Sequence, residues 1–304
     1  TPNSCIFEKT SKLKMPALSQ HLPVMVDEVI SYLDPKKKNT YFDGTFGQGG
    51  YSEEILKYGC KVVATDKDTQ SENFAKIIKQ KYPENFYFRI ENFKNIEEIL
   101  KFFKISKING ITLDLGLSNT QLDSPFRGFS FKSNGPLDMR MNNKRGEITA
   151  EIVVNKFSEK NLSDIFYYYG DEKNSRKIAK SIVIERKKKI IKTTTELAGI
   201  VKRINSYNHK NPSTRVFQAL RIFVNDELNA LESFLRDCLK FLNKKSRIII
   251  VAFHSLEDRI VKNFFKENSS KLKIITKKPV TPTKSEIENN PRSRSAKLRV
   301  AEVL

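Results

Sequence analysis

The run Tyr41-Phe-Asp-Gly-Thr-Phe-Gly-Gln-Gly-Gly50 does most to limit how this chain can fold. An apolar stretch ends in an acid, Asp43, and passes straight into Gly44, Gly47, Gly49 and Gly50. Lacking a Cβ, glycines let the backbone turn sharply and come close to a ligand. Ser52, Ile55 and Leu56 then begin a helical spacing, so the loop predicts a strand-to-helix link. Such links hold the cofactor of an open α/β sheet. A dinucleotide loop would read G-x-G-x-x-G and seat a pyrophosphate on the helix N-terminus. Counted from Gly47, the last glycine of that pattern is Ser52, and Asp43 would repel a pyrophosphate. A nicotinamide-dependent dehydrogenase is therefore disfavoured. A cofactor with an ammonium group and no phosphate suits the loop better, and S-adenosylmethionine is such a ligand.

Lys61-Val-Val-Ala-Thr-Asp66 reads as a short buried strand ending in an acid, 23 residues after Asp43. An acid there is placed to accept hydrogen bonds from both hydroxyls of an adenosine ribose. The bland alternative is a surface Asp that opens a turn. Residues 85–90 predict a third strand, with Phe93 beyond it where an adenine ring would stack or where the side chain would simply pack. Residues 108–114 predict a fourth, again ending in an acid, Asp114.

The strand–helix alternation then stops. Residues 115–145 are rich in Gly, Pro, Asn and Ser and read as an ordered loop, of a length that is often functional. Helical patterns follow: one capped by Ser158 and stopped by Gly170, one over 174–189, and one opened by a Thr193/Glu196 capping box. A long helical stretch follows Pro212. Arg247-Ile-Ile-Ile-Val-Ala-Phe253 is the strongest buried-strand signal, and Ser255 with Asp258 predicts a helix N-cap pair after it. Residues 295–304 alternate as an edge strand would. The fold class is α/β, a mostly parallel sheet interrupted by a helical insertion. Residues 15–121 and 226–304 form the core and 122–225 the inserted helical domain; 1–14 reads as a tail, with Met15-Pro16 as a natural start.

The formal charge is +20, from 55 Lys and Arg against 35 Asp and Glu, which favours a polyanionic partner, nucleic acid first. Clustering matters more than the sum: residues 173–192 hold nine basic residues and one acid, Glu185. Cys5, Cys60 and Cys238 lie far apart, and neither they nor the three histidines have metal-ligand spacing. No metal site and a reducing, cytoplasmic compartment are the expectation. No apolar run approaches the roughly 20 residues that span a bilayer. Nothing in the sequence speaks to oligomeric state.

Taken together, the motifs resemble the bacterial small-subunit ribosomal RNA (cytosine-N4)-methyltransferase family. They are His21-Leu-Pro-Val-Met-Val-Asp-Glu28, Phe42-Asp-Gly-Thr-Phe-Gly-Gln-Gly-Gly50 and Leu113-Asp-Leu-Gly-Leu-Ser-Asn-Thr-Gln-Leu-Asp123, then Arg127-Gly-Phe-Ser-Phe131 and Gly135-Pro-Leu-Asp-Met-Arg-Met141. Thr214-Arg-Val-Phe-Gln-Ala-Leu-Arg-Ile222, Phe253-His-Ser-Leu-Glu-Asp-Arg-Ile-Val-Lys262 and Asn290-Pro-Arg-Ser-Arg-Ser295 complete the set. The resemblance implies a class I S-adenosylmethionine-dependent fold with a helical insert. The implied target is one cytidine in the decoding region of 16S ribosomal RNA in the small ribosomal subunit. It places the cofactor on Gly49, Gly50, Tyr51, Asp66, Phe93, Asp114 and Gln121, beside the Asp43 and Gly47 of the loop. Tyr51 stands where the family commonly has His, and Asn119-Thr120 where it more often has Ser-Pro.

The exocyclic amine of cytosine is a poor nucleophile because its lone pair is delocalised into the ring. Asp114 or Asn119 is expected to accept its hydrogen bond, unless Asp114 serves the cofactor instead. His254, at a strand end, is a further candidate for contact with base or phosphate, with a structural hydrogen bond as the alternative. Phe126, Phe129 and Phe131 are candidates to stack on a flipped base, or to pin the loop to the core. Arg127, Arg140, Arg176, Lys187, Lys188, Lys189, Arg215, Arg292, Arg294 and Arg299 are candidate RNA contacts; a solvated face is the usual meaning of such runs. Two rivals keep the fold: an amino-methyltransferase acting on another nucleic acid, and a non-catalytic RNA-binding assembly factor.

Overall fold

The computed structural model describes residues 23–142, 147–205 and 211–304. The 1–14 tail, Met15-Pro16 and the start of the His21 motif lie outside the described residues, as does the side chain of Asn119. Among the described residues, seven strands form one sheet: β1 Thr40–Asp43, β2 Lys61–Asp66, β3 Phe86–Ile90, β4 Ile108–Asp114, β5 Leu242–Ala252, β6 Leu272–Ile274 and β7 Lys297–Val303. Their order is β3-β2-β1-β4-β5-β7-β6, with the first five parallel and β7 antiparallel to both neighbours. This is the mostly parallel α/β sheet expected from the sequence. Val62–Ala64 and Ile248–Val251 are buried on both faces, the continuous apolar pattern of strands covered by helices on either side. The order reverses between β1 and β4, which opens a crevice at the carboxyl ends of those strands.

Two elements differ from the sequence expectation. β7 is not an edge strand: it sits between β5 and β6. β6 is the edge, and its three residues, Leu-Lys-Ile, are too few for alternation to register. A short, lysine-bearing edge also discourages pairing with other chains.

Between β4 and β5 the chain builds a helical layer with its own apolar core, which includes Leu137, Val153, Phe166, Ile182, Leu197 and Leu220. Ser158 caps the helix Glu159–Gly170 by accepting from the Asn161 N–H, and Thr193 with Glu196 forms the expected capping box. Gly170 does not stop its helix; Asp171, in the left-handed region, does. Gly170 is there for clearance, because a Cβ would stand 2.5 Å from the Arg215 carbonyl oxygen of the helix Thr214–Asn225. Among the described residues, no helix is long and apolar enough to cross a membrane. Cys60 and Cys238 are buried free thiols.

Candidate active site

A cavity of about 440 Å³ occupies the crevice at the β1/β4 reversal. Its floor is the glycine loop between β1 and the helix Gly50–Leu56. Gly47 and Gly49 take left-handed φ values of 56° and 87°. At Gly49 a Cβ would also stand 2.3 Å from Ile78 Cδ1. The Gly47 N–H donates to Asp66 Oδ2 at 2.7 Å, so the acid ending β2 fixes the loop while it lines the cavity. Asp66 Oδ1 accepts from the Asp68 N–H at 2.8 Å. Each oxygen keeps a second lone pair, which is what a ribose hydroxyl needs. Phe93 lines the same end and packs edge-to-face on Phe234, their centroids 5.4 Å apart.

Asp43 is buried, accepting from Ser52 Oγ at 2.6 Å and from the Thr45 N–H at 3.2 Å. Burial pushes its carboxyl up to about 6 against those hydrogen bonds. Ser52, the residue that breaks the dinucleotide pattern, thus braces the acid that disfavours a phosphate. Asp114 accepts from the Gly116 N–H at 3.1 Å, and its own N–H donates to Thr45 Oγ1 at 2.6 Å. Burial is the main force lifting its carboxyl to about 7, helped by the charges of Asp43 and Glu257. Tyr51 is buried, and its hydroxyl donates to the Val24 carbonyl, clamping the segment before the helix Val26–Leu33. The hydroxyl that Tyr51 could have offered a methionine carboxylate is therefore engaged within the chain.

A charged wall completes the cavity. Arg221 grips Glu227 through Nε–Oε1 at 3.0 Å and Nη2–Oε2 at 2.9 Å. Beside them Glu257 and Phe253 line the cavity. The sequence places Arg221 and Glu257 within family-like motifs but gives them no role. Their signal is a charged residue in an otherwise apolar helical or strand-end context. The cap of the helix Ser255–Glu267 is one residue earlier than expected. His254, not Ser255, caps it, its Nδ1 accepting from the Glu257 N–H at 3.4 Å. Ser255 Oγ instead donates to Asp171, joining this helix to the helical layer.

Several candidate RNA residues fall elsewhere. Arg127 is buried, its Nη2 2.9 Å from Asp68 Oδ2, and Gln121 Nε2 donates to the same oxygen at 2.9 Å. Arg127 also donates to the carbonyls of Arg140 and Met141, so it ties the loop down and offers nothing to a phosphate. Phe129 is buried in the helical core, and Phe131 packs edge-to-face on Phe217 at 5.2 Å. Only Phe126 of the three is free to stack, being 82% exposed. Arg140 is held by Asp138, and Arg299 is buried against Asp258. Lys188 and Lys189 pair with Glu185 and Glu196. Arg176, Lys187, Arg215 and Arg294 are exposed, and Arg292 lines the cavity mouth while bound to Asp123.

The profile of the MraW methylase family matches residues 18–304. A protein of Ehrlichia canis (strain Jake) called ribosomal RNA small subunit methyltransferase H is 47% identical over 292 residues, covering 92% of this chain and 98% of the relative. Proteins of the same name from Orientia tsutsugamushi (strain Ikeda) and Caldicellulosiruptor saccharolyticus are each 45% identical, over 92% and 93% of this chain and 97% and 99% of theirs.

Proposed function

The chain belongs to the MraW methylase family, and from that premise we propose that it methylates the exocyclic N4 of a cytidine in the decoding region of 16S ribosomal RNA. The observation that carries the reading is the acidic cleft: Asp43, Asp66 and Asp114 converge on one cavity beside a glycine loop. Three carboxylates suit a cofactor bearing a sulfonium and an ammonium, and they oppose a dinucleotide. The cavity falls in the range of small-molecule sites.

In this reading Asp66 holds the ribose, Phe93 meets the adenine, and the Gly47–Gly50 loop admits the methionine end of S-adenosylmethionine. When bound, that cofactor supplies a methyl group already activated on sulfur. Asp114 orients the target amine, and its ionised form is the one that would take the N4 proton. Transfer of the methyl group to N4 would release one amine proton, and the Asp114 carboxylate would take it. Positioning then supplies much of the acceleration. Phe126 stacks on RNA at the mouth, and Arg176, Lys187, Arg215, Arg292 and Arg294 meet phosphates. The small subunit is the partner and the cytoplasm the compartment.

The direct test is transfer from labelled S-adenosylmethionine to small subunits lacking the modification, followed by nucleoside mass analysis. One new N4-methylcytidine mapped to the decoding region is the expected product. Bound cofactor with no transfer would favour the assembly-factor reading. For the basic surface, Arg176→Ala with Lys187→Ala is expected to weaken RNA binding and reduce the slope of log K against log salt by about 1–2. An unchanged slope would return both residues to a solvated face.

A further inference from the structure

Two cations in the cleft wall have no task in that scheme. Lys67, directly after the acid that ends β2, lines the cavity. Its ammonium carries three N–H donors. Among the described residues only one of them is used, on the Asn225 carbonyl at 3.3 Å. Burial lowers its pKa from the usual lysine value, the mark of an ammonium short of compensating partners. Arg221 lines the same cavity and commits Nε and Nη2 to Glu227. Its Nη1 has no acceptor among the described residues and is not sealed from solvent. The two cations are neighbours: Lys67 feels the charges of both Glu227 and Arg221, and the Asn225 it touches donates to the Arg221 carbonyl at 2.9 Å.

Lys67 and Arg221 share one carboxylate, Glu227, so one positive charge of the three groups stays unmatched. Asp66 also attracts Lys67, but its oxygens hold the Gly47 and Asp68 N–H groups. The open donors therefore suit an anion with more than one acceptor oxygen, and a neutral carbonyl would leave the charge uncompensated. Position narrows the choice. Asn225 also donates to the Met139 carbonyl and accepts from the Met141 N–H, each at 2.7 Å. The wall thus stands where the helical layer meets the loop that carries the exposed Phe126. A base that leaves its stack to reach Asp114 enters past this wall and draws its own phosphate behind it. A phosphodiester supplies what is missing: one negative charge and two non-bridging oxygens.

We propose that Lys67 and Arg221 form a phosphate subsite for the target nucleotide, gripping the phosphodiester next to the flipped base, an assignment that rests on the RNA reading above. Lys67 Nζ donates to one non-bridging oxygen and Arg221 Nη1 to the other, while Glu227 holds the guanidinium plane in place. This contact differs from those of the outer basic surface. Inside the cleft a charged hydrogen bond competes with little water, and it acts only on a nucleotide that has left its stack. The subsite therefore offsets part of the unstacking cost and favours the extruded state.

Lys67→Gln separates the charge from the tie to Asn225, because an amide can still donate to that carbonyl. Lys67→Arg keeps the charge. Methyl transfer to unmodified small subunits would be measured across a salt series, alongside cofactor affinity and melting temperature. For Lys67→Gln the expected result is a rise in KM for subunits of about tenfold or more. The slope of log kcat/KM against log salt should become shallower by about 1, with cofactor affinity and melting temperature unchanged. Lys67→Arg should recover most of both. An unchanged salt slope in Lys67→Gln overturns the assignment, whatever happens to KM. Weakened cofactor binding with normal KM for subunits overturns it in favour of the cofactor's carboxylate. A fall in melting temperature that accounts for the lost activity, and that Lys67→Arg does not repair, marks a structural tie alone and also overturns it. A wild type whose product is not N4-methylcytidine would overturn the cytidine reading instead. The slope, read from binding if no transfer occurs, would still judge the subsite.

Discussion

Asp114→Asn is expected to lower kcat for methyl transfer by about 10²–10⁴, the usual weight of a positioned proton acceptor. The substitution is mild in structure, because the amide oxygen can still accept from the Gly116 N–H and the backbone bond to Thr45 is untouched. What it removes is the charge. With the free enzyme's carboxyl lifted to about 7 by burial and then by Asp43 and Glu257, wild-type kcat/KM should fall about tenfold per unit below that pH. The acid limb should be missing in the Asn variant. The same shift has a stability counterpart of opposite sign. A carboxyl raised above its unfolded value of 3.8 contributes most when protonated, and that contribution disappears as pH rises through about 7. Asp114→Asn cannot ionise, so at pH 8 it should be more stable than wild type by on the order of 4 kcal/mol. Denaturant titration at pH 5 and pH 8 would read this. Unchanged turnover with weakened cofactor binding would assign Asp114 to the cofactor.

Arg127→Ala is expected to destabilise the protein by about 3–5 kcal/mol, because it strands a buried carboxylate. Asp68 is 5% exposed and would keep only the amide of Gln121 as a side-chain partner, while two loop carbonyls lose a donor. For a protein of this size, that lowers the melting temperature by roughly 5–8 °C. The salt dependence of RNA binding should not move. A near-native melting temperature with a shallower salt slope would restore Arg127 to the phosphate contacts.

Arg127 also illustrates what a sequence withholds. Periodicity and the glycine loop make the parallel sheet, the acid-tipped strands and the helical insertion legible, because each is written in residues close together in the chain. Arg127 and Asp68 are 59 positions apart, and nothing local says that one guanidinium meets a buried acid instead of solvent. Phe129 and Phe126 look alike in the loop, yet one enters the helical core and the other stays outside. The cap at His254 escapes a reading of the sequence because an imidazole nitrogen is an uncommon N-cap acceptor beside an available Ser255. Tyr51 shows the converse: its departure from the family residue is visible in the chain, and only the fold reveals the Val24 carbonyl that takes its hydroxyl.

The helical layer interrupts the sheet between β4 and β5, so these neighbouring strands are separated by about 130 residues. Against a crossover of a dozen residues, closing that longer loop costs only about 2 kcal/mol more. Entropy alone therefore does not forbid the detour, but it does set the order in which the cleft can be finished. Asp114 precedes the detour, Glu227 lies near its end and Glu257 follows it, and all three line one cavity. A half-folded chain would have the glycine loop and no opposite wall. With the cofactor in the proposed cleft, its binding would sense whether the detour has closed, and by mass action each tenfold of cofactor above its Kd would add about 1.4 kcal/mol to the closed state. In a cell with ample methyl donor, the substrate would act as the last fold-completing ligand of the enzyme that consumes it.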